Sequence, residues 1–381
     1  MTSSYTLYGW QVSYYTGKVR SYLRFKGIPY TEVAPNLFGY YMSLRGKTGV
    51  VAIPVVRTPE GEWLQDSSEI IDRLEARFPE PSIVPVTPRQ RLAAYLFELW
   101  GDEFWLPTGL ITRWCHLDEN WAFLERDVAD TLLPGWPSWL QKKAAVKVAR
   151  HMNRYLSHAG VVPAQHTVLN RWTEIQLDAL DRHFAEHPFL FGTRPSLGDF
   201  GVMGPLYGHL SRDPWPSRNL IAPRRHLTAW IERMNRTRQP AGEFLVDDAM
   251  PATLDPLLNS LIKEMLPYLE ATLRVAQPAL RKYVPLPRFM DEIEFPMADG
   301  KYRKPAMPYG LWMLQRALDA VRAMPSADVA SVRRWLTEHG AQRLLDIQIP
   351  RLRRAGLCAA PAHSQLGDRL AADPSLNPRT P

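Results

Sequence analysis

The residues best placed to do chemistry lie near the amino terminus, in residues 13–20, Ser-Tyr-Tyr-Thr-Gly-Lys-Val-Arg. This segment follows a short apolar stretch, residues 5–9, that reads as a β-strand, and it opens an amphipathic helix. A hydroxyl at the start of a helix lies beside free backbone N–H groups and the positive end of the helix dipole, which favours an anion such as a thiolate. Ser13 is therefore the first candidate functional side chain, and capping of the helix is its structural alternative.

Two later stretches carry further candidates. Ile53-Pro54 lies at the start of an apolar strand, where a proline costs a hydrogen bond of the sheet. A cis bond there would turn the preceding backbone groups toward a ligand. Asp66-Ser67 combines a carboxylate, which suits an ammonium group, with a hydroxyl at a helix N-terminus, which suits a carboxylate. An ordinary N-cap pair would have the same sequence.

Strand and helix patterns predict a small α+β domain around these motifs. The elements up to residue 78 read in the order β-α-β-α-β-β-α, in which the first two strands are parallel and the last two form a hairpin. A proline-rich stretch follows and is the clearest domain boundary in the chain. We therefore predict one domain over residues 1–80 and a linker over residues 81–88.

The rest of the chain is predominantly helical in pattern. We predict an all-helical domain over residues 89–245, which includes a structural capping box, Ser196-x-x-Asp199. Residues 246–355 are expected to form an extra, mostly helical segment with a hairpin near residues 289–304, where an Asp-Gly pair favours a turn. Residues 356–381 are rich in Ala, Pro, Asp and Arg and are predicted to be a mobile tail.

Composition narrows the class of protein. The chain has 381 residues, 45% of them hydrophobic and 22% charged, which predicts a globular protein of two or three domains. The net charge of +7 favours anions, but no Lys/Arg block or nucleic-acid motif occurs, so no nucleic-acid partner is expected. Cys115 and Cys358 have no zinc or CxxC spacing, so we expect no metal and a cytoplasmic location. No signal peptide or membrane-spanning run is recognisable, so no membrane partner is expected.

The order and spacing of these motifs resemble glutathione transferases of the serine- or cysteine-type bacterial classes. The resemblance covers roughly residues 5–235 and leaves residues 250–355 outside the standard architecture of the family. Each motif alone is weak, and the four in order make the resemblance specific. The matching residues are Ser13, Lys18 and Arg20 in the helix-one motif, Ile53 and Pro54 in the proline motif, Asp66 and Ser67 in the acidic-Ser motif, and Ser196 and Asp199 in the capping box.

The resemblance implies a fold and an activity. The fold would be α+β, with a thioredoxin-like βαβαββα domain, an all-helical glutathione transferase C-terminal domain and an extra C-terminal segment. The activity would be that of a glutathione transferase, an enzyme that transfers alkyl or aryl groups other than methyl. Glutathione would be the substrate, a hydrophobic small molecule the electrophile, and a homodimer the assembly.

The resemblance also implies roles for individual residues. Ser13 would stabilise the glutathione thiolate, and Tyr8, Tyr14 and Tyr15 remain alternative sources of that hydroxyl. The backbone at Ile53-Pro54 would meet the glutathione cysteine, and Asp66-Ser67 would bind the γ-glutamyl end. Further candidates are Lys47 and Arg20 for glutathione, and Trp105, Arg113, Trp114 and Tyr207 for the second-substrate pocket.

Two other functions remain open from the sequence. The extra C-terminal segment would suit a binding or scaffold protein that uses the same fold with little catalysis. A thiol-disulfide reductase is disfavoured, because Ser13 stands where such an enzyme needs a cysteine. Surface and capping roles also remain open for Lys47, Arg20 and the Asp66-Ser67 pair.

Overall fold

A four-stranded mixed sheet with three helices forms the N-terminal domain of the computed structural model, which describes residues 4–39, 44–236, 241–282 and 284–362. The sheet order is β2-β1-β3-β4, with β1 parallel to β2 and antiparallel to β3. The predicted α+β class and βαβαββα order are confirmed. The elements are β1 (Tyr5–Tyr8), α1 (Tyr14–Phe25), β2 (Tyr30–Val33), α2 (Arg45–Thr48), β3 (Val55–Arg57), β4 (Trp63–Gln65) and α3 (Ser67–Arg77).

The register of this sheet brings three chain segments to one edge. Tyr8, the last residue of β1, lies opposite Val55, the first residue of β3. Val55 in turn lies opposite Gln65, the last residue of β4. The segments that lead into α1, into β3 and into α3 therefore emerge side by side.

A helical domain follows, as predicted. Three π-helical turns interrupt it, at Trp100–Phe104, Leu206–Leu210 and Ser217–Ile221, and the first of them joins α4 to α5. Such turns leave backbone carbonyls without their usual helical partners and are frequent at functional sites. The helices are α4 (Pro88–Leu99), α5 (Leu106–Trp114), α6 (Leu117–Leu132), α7 (Ser138–His158), α8 (His166–Glu186), α9 (Leu197–Pro205), α10 (Pro214–Pro216) and α11 (Arg225–Asn235).

Ser196 and Asp199 form a buried capping box at the start of α9. The Ser196 Oγ accepts from the Asp199 N–H, and Asp199 Oδ2 accepts from the Ser196 N–H at 2.8 Å. The other carboxylate oxygen accepts from the Leu190 N–H and the Trp230 indole N–H, both at 3.1 Å. This one carboxylate thus holds together three parts of the helical domain.

We expect Asp199→Ala to lower the free energy of unfolding by about 2–4 kcal/mol, because it leaves several buried donors unpaired. Asp181→Ala is a matched control, since among the described residues Asp181 accepts only from the part-buried N–H groups of His226 and Leu227. That variant should lose about 1 kcal/mol, as for a helix cap. Urea denaturation measures both values, and equal losses would contradict the role given to Asp199.

The third segment adds two helical pairs and two hairpins. The β5–β6 hairpin, residues 292–305, forms where one was predicted near residues 289–304. The β7–β8 hairpin was not predicted, and its second strand lies in the stretch assigned to a mobile tail. The elements are α12 (Asp255–Ser260), α13 (Leu266–Arg281), β5 (Glu292–Met297), β6 (Gly300–Pro305), α14 (Tyr309–Arg322), α15 (Ser326–Glu338), β7 (Leu352–Ala355) and β8 (Cys358–Pro361).

Packing against α14 explains the order of this last hairpin. Leu352 and Ala359 are buried with Leu311 and Leu286 in a small apolar cluster. Alanine-rich strands have little β-propensity of their own, so contacts distant in sequence decide the structure here. Residues 363–381, the remainder of the predicted tail, lie outside the described residues.

The third segment and the helical domain share one hydrophobic core. In the part of the chain that the structure describes, no helix has both the length and the apolar character needed to cross a membrane. The same residues contain no group of three or more His, Cys, Asp or Glu side chains that could hold a metal ion.

Candidate functional site

Ser13 is the half-buried N-cap of α1. Its Oγ accepts a hydrogen bond from the Thr16 N–H at 3.3 Å. Among the described residues, nothing accepts the hydrogen of this hydroxyl. A serine hydroxyl has one donor hydrogen and two lone pairs. Capping and donation to a ligand are therefore compatible at Ser13.

Tyr14 and Tyr15 bind the π-helical turn of the helical domain. The Tyr14 hydroxyl donates to the Gly101 carbonyl, and the Tyr15 hydroxyl donates to the Asp102 carbonyl at 3.0 Å. Burial, and then the charges of Asp102 and Glu103, raise the pKa of Tyr14 well above its ordinary value. Both hydroxyls thus serve the contact between the two domains.

Tyr8 and the proline motif lie together at the sheet edge. The Ile53–Pro54 peptide bond is cis, and Pro54 is buried immediately before β3. Tyr8 stacks on Trp63 with ring centroids 5.3 Å apart, and Ile53 packs in the same small cluster. The structure therefore places Tyr8 close to the proline motif and packs its ring against Trp63 of β4, two strands away in the sheet.

Asp66 and Ser67 form the N-terminus of α3. Asp66 has a φ of 88°, which is uncommon for a non-glycine residue. Its Oδ1 accepts from the Ser68 N–H at 3.0 Å and from the Glu69 N–H at 3.2 Å. Among the described residues, the Ser67 hydroxyl has no hydrogen-bond partner, and the first N–H groups of any helix lack intrahelical partners. Ser67 is therefore suited to bind an anion.

A buried ion network joins this site to the rest of the molecule. Lys18 Nζ bonds Glu98 Oε1 at 2.7 Å, Asp102 Oδ2 at 2.5 Å and Ser68 Oγ at 3.0 Å. Arg316 of α14 bonds the other oxygen of Glu98 at 2.6 Å. The Lys18 of the helix-one motif therefore connects α1 with α3 and with both later parts of the chain.

The two carboxylates of this network differ in proton affinity. Burial would raise the pKa of Glu98, but the charges of Arg316 and Lys18 outweigh it and lower that pKa to about 2. Burial raises the pKa of Asp102 to about 7, against the attraction of Lys18. Because Glu98 has two cationic partners and Asp102 one, Asp102 takes up a proton more readily.

The other basic candidates lie apart from these groups. Arg20 is buried and forms a two-pronged ion pair with Glu32 on β2, with N–O distances of 2.8 and 2.6 Å. Lys47 is exposed on α2. Arg20 therefore supports the fold of the N-terminal domain, and only Lys47 is free at the surface to meet a ligand.

The two tryptophans assigned to the second-substrate pocket are buried in the helical domain. Trp105 packs edge-on against Trp100 and Trp172, at centroid distances of 5.3 and 5.0 Å. Trp114 is 8% exposed. Both side chains are thus part of the core of the helical domain.

Arg113 and Tyr207 have different surroundings. Arg113 is buried and binds the Asp213 carboxylate at 2.6 and 2.8 Å, and it also donates to the Val12 carbonyl. It therefore holds the loop before α1 in place. Tyr207 is half-buried and lines an open cavity of about 440 Å³ together with Ile231 of α11.

The third segment contacts the Asp66 turn directly, which no sequence motif signalled. The Tyr309 hydroxyl donates to Asp66 Oδ2 at 2.6 Å. Arg354 of β7 donates to Glu69 at 2.6 Å and to the side-chain oxygen of Gln65. These partners are more than two hundred residues apart in sequence, so only the folded chain reveals them.

Two domain models match this chain. The glutathione S-transferase N-terminal domain matches residues 7–82, and the C-terminal domain of the same family matches residues 176–233. The chain thus contains both domains of the glutathione S-transferase family. The first match spans the whole sheet edge described above, and the second contains the capping box of α9. No curated protein matches this chain in sequence.

Several solved structures are similar to it. A glutathione S-transferase from Rhodospirillum rubrum F11 is 17% identical, with 65% of this chain and 96% of that chain covered and a TM-score of 0.40. One from Methylobacterium radiotolerans, in complex with glutathione sulfonate, is 21% identical, with coverages of 64% and 100% and a TM-score of 0.37. The beta-etherase LigF from Sphingobium sp. strain SYK-6 is 19% identical, with coverages of 63% and 97% and a TM-score of 0.40.

Proposed function

We propose that the chain binds glutathione at the sheet edge and stabilises its thiolate for attack on a hydrophobic electrophile. The observation that carries this proposal is the sheet register, which aligns Tyr8, Val55 and Gln65. That alignment places the N-cap of α1, the cis proline and the N-terminus of α3 at one edge. Family membership supports glutathione as the ligand.

The arrangement suggests how glutathione would lie. Its γ-glutamyl carboxylate would bind the Ser67 hydroxyl and the first N–H groups of α3, and its ammonium would face Asp66. Its cysteine backbone would lie along Ile53, and Lys47 would meet the glycine carboxylate.

The chemistry requires a thiolate, because the thiolate and not the thiol is the nucleophile. A free thiol has a pKa of about 8.5, and a helix N-terminus lowers it. The free hydrogen of the Ser13 hydroxyl can donate to the sulfur, which favours the charged form. Tyr8 is the alternative donor, whereas Tyr14 and Tyr15 already donate to the backbone carbonyls of Gly101 and Asp102.

The rest of the proposal concerns the second substrate and the assembly. Tyr207 and the start of α1 are proposed to face the hydrophobic electrophile, because Tyr207 lines a cavity next to α11 and lies close to Gly17. We further propose a homodimer in the cytoplasm, as the resemblance to the family implies. A non-catalytic glutathione-binding protein is the second candidate, favoured by the contact between Tyr309 and Asp66.

We expect Asp66→Asn to weaken glutathione binding about tenfold, because the variant loses the charge that faces the ammonium group. Asparagine caps helices as well as aspartate does, so the fold of α3 should be kept. Asp72→Asn is the matched control, since Asp72 also lies on α3 but binds Arg316. Calorimetric titration with glutathione measures the affinities, and equal affinity for Asp66→Asn and the unmodified chain would remove Asp66 from the site.

A conjugation assay tests the proposed function as a whole. The full chain is mixed with glutathione and a model aryl halide, and the thioether product is followed by absorbance. Turnover above the uncatalysed rate supports the enzyme. Glutathione binding without turnover of any electrophile in a panel would favour the non-catalytic binding protein, and no binding at millimolar glutathione would contradict both.

A further inference from the structure

The ammonium end of the proposed glutathione site is already occupied by the third segment. Tyr309 donates to Asp66 Oδ2 at 2.6 Å, while the other oxygen of Asp66 caps α3. Arg354 reaches the side-chain oxygen of Gln65. Every side-chain oxygen that an ammonium group would use on Gln65 and Asp66 thus has an internal donor.

Arg354 is also a fixed positive charge at this place. Its Nε donates to Glu69 at 2.6 Å, its Nη1 donates to the Gly356 carbonyl at 2.9 Å, and its side chain is 16% exposed. Burial opposes its charge, but the neighbouring carboxylates of Asp66 and Glu69 outweigh it and raise the pKa of Arg354. An ammonium group that enters beside this guanidinium meets a like charge.

The remaining parts of the site are not covered in this way. Among the described residues, the Ser67 hydroxyl has no partner, and the hydrogen of the Ser13 hydroxyl has no acceptor. The positions proposed for the γ-glutamyl carboxylate and for the thiol therefore stay free. Of these three positions, the one proposed for the ammonium group is the one where the chain supplies its own donors, from Tyr309 and Arg354.

We propose that Tyr309 and Arg354 compete with the ammonium group of the ligand and so set the specificity of the site. The inference rests on the proposed function. Ligands of the glutathione type bind more weakly when their γ-glutamyl amine is charged, and those with an acylated, uncharged amine escape the competition. The third segment thereby selects γ-glutamyl thiols that lack a free ammonium group.

Calorimetric titration of the full chain tests this with two thiols, glutathione and N-acetylglutathione. We expect Arg354→Gln to bind glutathione about tenfold more tightly than the unmodified chain does, because the variant lacks the guanidinium charge that repels the ligand ammonium group. The same variant should bind N-acetylglutathione with unchanged affinity. Tyr309→Phe should shift glutathione affinity in the same direction by a smaller factor. Arg351→Gln is the matched control, because Arg351 pairs with Asp319, away from the Asp66 turn.

The other outcomes separate the two proposals. If Arg354→Gln and Tyr309→Phe bind glutathione as the unmodified chain does, or more weakly, the competition is refuted and the glutathione site stands. Equal strengthening for both thiols would also refute it, because the effect would not depend on the ammonium charge. If none of the four proteins binds either thiol, the proposed function fails and this inference fails with it.

Discussion

Ser13→Gly is expected to lower kcat/KM for glutathione conjugation about ten- to a hundredfold. This reduction corresponds to the loss of one hydrogen bond to a charged group in the transition state, which is worth about 1.5–3 kcal/mol. Glycine caps helices almost as well as serine, within a few tenths of a kcal/mol. The variant therefore removes the donor while keeping the start of α1, and glutathione affinity should stay nearly unchanged.

The pH profile distinguishes a thiolate-stabilising hydroxyl from a structural one. In the unmodified chain, activity should reach its plateau below the free thiol pKa of about 8.5. In Ser13→Gly the midpoint should move up toward that value, and Ser13→Thr, which keeps a hydroxyl, should restore the lower midpoint. Unchanged turnover in Ser13→Gly would transfer the role to Tyr8, because Tyr14 and Tyr15 already donate to backbone carbonyls.

Glu98→Gln is expected to lower the free energy of unfolding by about 3–5 kcal/mol, the usual cost of removing one charge from a buried ion pair. Glu98 is completely buried and binds both Lys18 and Arg316, so the variant leaves two buried cations short of one countercharge. Glu62→Gln is the matched surface control. Glu62 pairs with Arg73 and Arg77 at the surface, and its loss should cost at most about 1 kcal/mol.

The difference in free energy of unfolding between Glu98→Gln and the unmodified chain should depend on pH. The folded-state pKa of Glu98 is about 2, below the unfolded value of about 4.3. Its contribution to stability is therefore full above the unfolded pKa and disappears as the pH falls toward the folded one. Urea denaturation should show a large difference in stability between the two proteins at about pH 7 and a smaller one at about pH 3. A stability difference that grew in acid would contradict the ion pairs assigned to Glu98.

Much of the fold was readable from the sequence because local signals agreed with it. Glycine, proline and capping residues punctuate the N-terminal domain, and the Ser196-x-x-Asp199 box predicted the start of α9. The last hairpin was missed because its strands are short and rich in alanine, and burial against Leu311 and Leu286 orders them. Local propensity predicts an element only where tertiary packing does not override it.

The candidate site was readable only in part. Ser13, Pro54 and Asp66 could be found because each lies in a short local motif. The buried ion pairs of Lys18 could have been inferred from its position: Lys18 lies one helical turn from both Tyr14 and Tyr22, on the buried face of α1, where a charge needs a partner. The contact between Tyr309 and Asp66 had no local signal at all.

A crystal structure of the full chain with glutathione is the most direct test of the proposed site. We expect the glutathione sulfur to lie within hydrogen-bond distance of Ser13 Oγ. We also expect the γ-glutamyl carboxylate at Ser67 and the cysteine backbone along Ile53. Glutathione bound elsewhere, or bound at this edge with its sulfur away from Ser13, would contradict the role proposed for Ser13.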